Sequence, residues 1–173
     1  MDTTPPADMS DPGATGQDRD RDAAGRARNA RPRDGLGRPL PYGSEGIPTT
    51  DESVHLSPTE ALQEAQRLLD AGRPFHAHEV LEATWKSAPD HEREFWRGMA
   101  QLAVGLTHAR RGNRIGAARL LTRAADRIEP YSTRAPHAVP VAELAVWARM
   151  LADRIRREDG DVPEDALTPR MTR

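Results

Sequence analysis

The sequence contains no cysteine, one lysine (Lys86) and few aromatic residues: three Trp, two Tyr and two Phe among 173 residues. The absence of cysteine excludes disulfide bonds, thiolate catalysis and cysteine zinc sites. Lysine is almost entirely replaced by arginine among the 25 basic residues, so arginine clusters carry less functional information than usual.

Long apolar runs are also missing. No stretch approaches the roughly 20 residues of a membrane span, and the first residues contain no apolar signal segment. We therefore expect a soluble, cytoplasmic protein that does not enter a membrane. The formal net charge of −2 argues against a dedicated nucleic-acid binder, because binding to a phosphate backbone needs clustered positive charge.

The two ends of the chain differ in composition from its middle. Residues 1–50 hold 7 of the 15 prolines and 7 of the 13 glycines, with Tyr42 as their one aromatic residue and no periodic apolar pattern. These features predict a disordered tail over residues 1–53. Residues 159–173 are predicted to form a polar C-terminal tail, which leaves 54–158 for a helical bundle domain.

Apolar positions in the middle of the chain recur at helical spacing, and no segment alternates like a strand. Ser57 with Glu60 forms a capping box at the first helix, and Gly72 marks its end. The fold class predicted is an all-α, compact bundle of about five helices, over residues 58–72, 74–87, 90–111, 114–128 and 141–157.

The chain also contains a faint internal repeat. A shift of about 40 residues aligns "GRPFHAHEVLEA" with "GNRIGAARLLTR". This alignment predicts two helical hairpins followed by a closing helix. In the second copy, small residues occupy the places of the polar ones: Ala118, Thr122 and Ala125 match His78, Glu82 and Trp85.

The stretch "FHAHEVLEATW", residues 75–85, contains the candidate site. It places His78, Glu82 and Trp85 on one helical stripe, of the kind that normally points into a core. A His and a Glu four residues apart can share a metal ion or a proton. We predict a ligand or metal site formed by His78, Glu79 and Glu82, with Gln101 as its neighbour when the next helix folds back.

The nature of this site stays open at the level of the sequence. The string H-E-x-x-E has Glu82 where a zinc peptidase has its second histidine, so a peptidase is not indicated. No cofactor is defined, and a divalent metal held by His78 and Glu82 is the hypothesis that the pattern allows. Trp85, His108 and Asn113 are second-rank candidates. The structural alternative is that His78 and Glu82 bond each other and Trp85 belongs to the core.

The two stretches "FHAHEVLEATW" and "QLAVGLTHARRGNRIGAARLL" together resemble the domain of unknown function 309 family, over about residues 60–125. The resemblance implies a small all-helical bundle and no established activity. The polar signature of the family falls on His78, Glu79, Glu82, Trp85, Gln101, Gly112, Asn113 and Gly116.

Two hypotheses of function follow, and neither decides whether the protein is an enzyme. The first is the ligand or metal site, with His78 as ligand or base and Glu82 as its partner. The second is an interaction module, in which hairpins resembling tetratricopeptide units present a groove or an arginine row to a protein partner or another copy of the chain. The row consists of Arg119, Arg123 and Arg127.

Overall fold

A computed structural model describes residues 31–48, 56–157 and 162–172. Contacts divide the chain after Arg31, and the helices belong to the unit from Pro32 to Arg173. The described residues contain five α-helices, three short 3-10 segments and one isolated bridge, between Arg33 and Pro39. The predicted all-α class is confirmed.

The five helices begin and end close to the predicted positions. Local capping signals explain this agreement: the Ser57 hydroxyl accepts from the Glu60 amide, and the Glu60 carboxylate accepts from the Ser57 amide at 2.8 Å. No helix of the described ranges is both long and apolar enough to cross a membrane. The helices are α1 (Pro58–Asp70), α2 (Pro74–Ser87), α3 (Asp90–Arg110), α4 (Arg114–Ile128) and α5 (Val141–Arg157).

Helices α1 and α3 end in the same way, as the sequence repeat predicts. Gly72 and Gly112 follow them with φ of 70° and 76°, a left-handed conformation that glycine adopts without strain. The Gly72 amide donates to the Leu69 carbonyl, and the Gly112 amide donates to the Ala109 carbonyl, both at 3.0 Å. The two hairpins, α1–α2 and α3–α4, therefore turn alike, and α5 closes the bundle against α4.

Helix α3 is the centre of the bundle. It packs against α2 on one side and α4 on the other, and these are the two most extensive helix contacts in the described chain. Its apolar side chains are consequently almost inaccessible to solvent, and they form the middle of one continuous core. The most deeply buried are Phe95, Trp96, Met99, Leu102 and Leu106.

Two glycines of α3 let α4 approach closely. A Cβ atom at Gly98 would lie 2.6 Å from Cγ2 of Ile128, and one at Gly105 would lie 3.0 Å from Cγ of Leu121. Glycine costs about 1 kcal/mol relative to alanine inside a helix. The close packing of α3 and α4 offsets this cost, because a larger residue at either position would push the two helices apart.

The predicted N-terminal tail is described only in part. Residues 1–30 and 49–55 lie outside the described residues. Residues 32–48, which we call the N-terminal strap, contact the bundle. The domain boundary after residue 53 stays a prediction.

The strap is held by irregular contacts that leave no periodic signal in the sequence. Nε of Arg111 donates to the Leu36 carbonyl at 2.9 Å. The Arg33 guanidinium lies 5.5 Å from the centre of the Phe75 ring, as a cation–π contact. Contacts of backbone and single side chains do not need an amphipathic pattern, so the composition of the segment carries no signal for them.

The C-terminal segment, predicted as a polar tail, also contacts the bundle. Its described residues, 162–172, pack on α1, and Leu167 and Met171 are buried. The side chain of Gln66 donates to the Pro169 carbonyl at 3.0 Å and accepts from the Met171 amide at 2.8 Å. The buried Gln66 side chain thus forms hydrogen bonds with both a carbonyl and an amide of the C-terminal segment. A neighbouring β-strand would bond the backbone in the same way.

The connection between α4 and α5 is strained. Ala135, His137 and Ala138 all have positive φ, which costs a non-glycine residue about 1 to 2 kcal/mol. The loop places Nε2 of His137 2.8 Å from the Glu92 carboxylate, which also accepts from Nε1 of Trp96 at 3.0 Å. Burial would raise the pKa of Glu92, but these two hydrogen bonds outweigh it and hold the pKa below its usual value.

We expect Gly98→Ala to destabilise the protein by about 1 to 2 kcal/mol, because overpacking against Ile128 exceeds the gain in helix propensity. Urea denaturation would measure the change in the free energy of unfolding. Gly105→Ala, whose nearest contact is longer, should lose less. Equal or greater stability of Gly98→Ala would contradict this account of how α3 and α4 pack.

Candidate functional site

The stripe of His78, Glu82 and Trp85 faces a surface groove. The sequence pattern had suggested that this stripe would point into the core. Ala77, Val80 and Leu81 of α2 enter the core. The side chains of His78 and Glu82 are 24% and 33% exposed. The polar residues therefore lie where water or a partner can reach them.

The groove, which we call the α3 groove, lies over the middle of α3. Residues of α3 at helical spacing form its floor, α2 forms one wall, and α4 contributes to the other. Its volume is about 200 Å³ and it is open to solvent. The lining residues are His78, Glu82 and Trp85 of α2, Arg97, Ala100, Gln101 and Val104 of α3, and Leu120 of α4.

Glu82 lies between two basic side chains on α2. Its Oε2 is 3.4 Å from Nε2 of His78, and its Oε1 is 3.3 Å from Nζ of Lys86. Burial lowers the pKa of His78; Glu82 raises it and Lys86 lowers it further, so the net shift is downward. Burial thus favours the neutral form of the imidazole, while the contact with Glu82 favours the charged form.

The α3 side of the groove is basic. The Arg97 guanidinium lies 5.6 Å from the centre of the Trp85 ring and 3.4 Å from Oε1 of Glu94. Nε of Arg127, which comes from α4, donates to Oε1 of Gln101 at 3.1 Å. Trp85 thus contacts the Arg97 guanidinium with the face of its ring, and it also packs partly against the core.

The structure brings together four of the seven residues proposed from the sequence: His78, Glu82, Gln101 and Trp85. Glu79 lies about 100° further around α2 than His78 and outside the groove lining. His108 and Asn113 are at the far end of α3, near the turn to α4.

Asn113 has a structural role at that turn. Its Oδ1 accepts from the Gly116 amide at 2.9 Å and caps α4, and its Nδ2 contacts Nδ1 of His108 at 2.7 Å. A Cβ atom at Gly116 would lie 2.7 Å from both side chains. The Gly-Asn-x-x-Gly motif is therefore explained by helix capping and close packing.

A divalent metal fits the groove poorly. Only His78 and Glu82 offer donor atoms at a suitable separation, and Glu82 is shared with Lys86. The third expected donor, Oε1 of Gln101, already accepts from Arg127. Within the described residues, no three His, Asp or Glu side chains are grouped so that they could hold a metal ion.

The sequence analysis did not single out Arg97 or Lys86 for this site. Arg97 was overlooked because arginine is frequent throughout the chain. Lys86 was noted only because it is the one lysine. Helical spacing offered a signal: Arg97, Gln101 and Val104 follow each other by four and three residues, which places them on one face of α3.

The architecture and this groove define a small domain of paired helical hairpins, in which four residues of the polar signature line a surface groove. The family model for the domain of unknown function DUF309 matches residues 62–120, which confirms the resemblance seen in the sequence. An uncharacterized protein, YpuF of Bacillus subtilis (strain 168), is 50% identical over 48 residues. The match covers 27% of this chain and 28% of the length of YpuF. No solved structure matches the chain.

The poor fit of the groove to a divalent metal makes a direct prediction. Because the groove supplies two shared donors, protein purified without chelator or histidine tag should contain far less than one metal ion per chain. Elemental mass spectrometry of wild type and Glu82→Gln would measure this. If wild type contained nearly one metal ion per chain and folded Glu82→Gln contained none, the result would instead support a metal site.

The electrostatics of His78 can be tested by titration. Its imidazole should titrate below about 6.5, the value of an unperturbed histidine. Glu82→Gln should lower the pKa of His78 further, because it removes the carboxylate that favours the charged form. Lys86→Gln should raise it for the opposite reason. NMR titration of the His78 ring protons measures both pKa shifts. Shifts in the directions opposite to those expected would contradict the placing of Glu82 and Lys86 around His78.

Proposed function

We propose that the domain is a protein-interaction module whose binding site is the α3 groove. The observation that supports the proposal is the meeting of a half-buried tryptophan, an arginine on its face and a His–Glu contact in one open groove. Tryptophan and arginine dominate the energetics of protein interfaces. A groove with these anchors suits the side chains of a docked segment.

The size of the groove favours a partner segment over an enclosed substrate. Small-molecule pockets usually have volumes of about 300 to 1,000 Å³ and bury most of the ligand. The α3 groove has about 200 Å³ and is open. It can receive one or two side chains of a larger molecule, and a partner lying across α2 and α4 would supply the rest of the contact area.

The charges around the groove favour an acidic partner. Four basic residues surround it against two acidic ones, so two positive charges are in excess. Arg123 belongs to this set because it lies three residues after Leu120 and four before Arg127 on the same side of α4. The basic residues are Lys86, Arg97, Arg123 and Arg127, and the acidic ones are Glu82 and Glu94.

The existing ion pairs would not prevent binding. Lys86 and Arg97 are 65% and 49% exposed, and exposed pairs of this kind contribute about 0 to 1 kcal/mol. A partner carboxylate can therefore replace Glu82 or Glu94 at little cost. In its neutral form, His78 can donate or accept one hydrogen bond to the partner without the cost of burying a charge.

The test is a selection from a displayed random-peptide library against the wild-type chain. Selected peptides should be rich in Asp and Glu around one apolar residue, and their binding should shift the indole NH signal of Trp85. The double variant Arg97→Glu with Arg123→Glu should weaken binding by about tenfold or more and reduce its salt dependence, since rim charges act through screened electrostatics.

The matched control is Arg134→Glu with Arg170→Glu, which changes the net charge equally at exposed positions away from the groove. It should bind nearly as wild type does. Selected peptides that bind both double variants equally well would refute the α3 groove as the binding site. Circular dichroism checks that each variant keeps its helices.

A further inference from the structure

One face of α5 remains exposed although it carries large apolar side chains. Val146 is 56% exposed and Met150 is 68% exposed, one helical turn apart. The opposite face of α5 packs into the core through residues such as Leu144 and Leu151. Single exposed apolar residues are common, but two in succession along one helix, framed by charges, indicate a contact surface.

The charges on this face are arranged with opposite signs at its two ends. Glu143 lies at the N-terminal end, and Arg154 and Arg157 lie at the C-terminal end. At 100° per residue, these three positions and the two apolar ones fall within an arc of about 80°. The apolar centre is thus bounded by an acidic end and a basic end on the same strip of surface.

A shallow groove adjoins the apolar centre at the basic end. It has a volume of about 290 Å³ and is lined by Met150, Asp153, Arg154 and Arg157. Asp153 is already engaged within the chain, at 2.8 Å from Arg156 and 3.7 Å from Arg157. The groove thus joins the apolar Met150 side chain to the basic side chains of Arg154 and Arg157.

We propose that α5 binds α5 of a second copy of this chain, antiparallel and related by a two-fold axis. In that arrangement Val146 of each copy lies opposite Met150 of the other, because the pairing reverses the order of residues along the helix. The same pairing sets Glu143 within one residue, about 1.5 Å along the helix, of the position opposite Arg154, and the two-fold axis makes this contact twice. A parallel pairing would instead set Glu143 opposite itself.

The expected dimer is modest in size. Helix α5 has 17 residues, so it is about 25 Å long, and one helix pair provides an interface at the low end of specific complexes. We therefore expect an association in the micromolar range rather than a permanent dimer. This inference involves none of the residues of the α3 groove and does not depend on the function proposed for it.

Sedimentation equilibrium of the full chain, from low to high micromolar concentration, tests the inference. The apparent mass should rise from 19.1 kDa towards twice that value. Met150→Glu should raise the dissociation constant by about tenfold or more, since it places charges in the apolar centre. Ile115→Glu is the matched control, because Ile115 is 76% exposed on α4, and it should leave the association unchanged.

Charge exchange tests the antiparallel register. Glu143→Arg alone and Arg154→Glu alone each set like charges opposite one another and should weaken the dimer. The double variant restores opposite charges and should recover most of the association. A chain that stays monomeric, a dimer that Met150→Glu leaves intact, or single reversals without rescue by the double variant would each overturn the proposal.

Discussion

The close approach of α3 and α4 is the constraint on which the rest of the structure depends. Gly98 and Gly105 allow it, since a Cβ atom at either position would collide with α4. With α4 so near, α3 is enclosed on two sides, and its aromatic and aliphatic residues form the centre of the core. The exposed strip of α3 that remains then becomes the floor of the α3 groove.

The position of helix α2 explains why a histidine and a glutamate replace small residues of the repeat. In the second hairpin, Ala118 and Ala125 are buried, and Thr122 contacts Arg156 of α5. Small residues there let the next helix pack closely. On α2 the equivalent positions, His78 and Glu82, border the groove, so they avoid the cost of complete burial and remain accessible.

Much of the fold was predictable because its signals are local. The Ser57 capping box, the glycines after α1 and α3, and the Asn113 cap each act within a few residues, so the helix bounds follow from the sequence. The packing of the N-terminal strap and of the C-terminal segment has no local signal of this kind. They are held by contacts between distant residues, such as Arg111 with Leu36 and Gln66 with Pro169, which leave no periodic pattern.

The candidate site was likewise predictable where it depends on local helical geometry, and not where it depends on contacts between helices. The sequence by itself determined that His78, Glu82 and Trp85 share one side of α2, because helical geometry fixes that relation, and counting along the hairpin placed Gln101 nearby. Only the tertiary structure decided that this side faces solvent, that Arg97 lies on Trp85 and that Arg127 occupies the oxygen of Gln101. These facts depend on how separate helices pack, and helix packing depends on contacts between residues far apart in the chain.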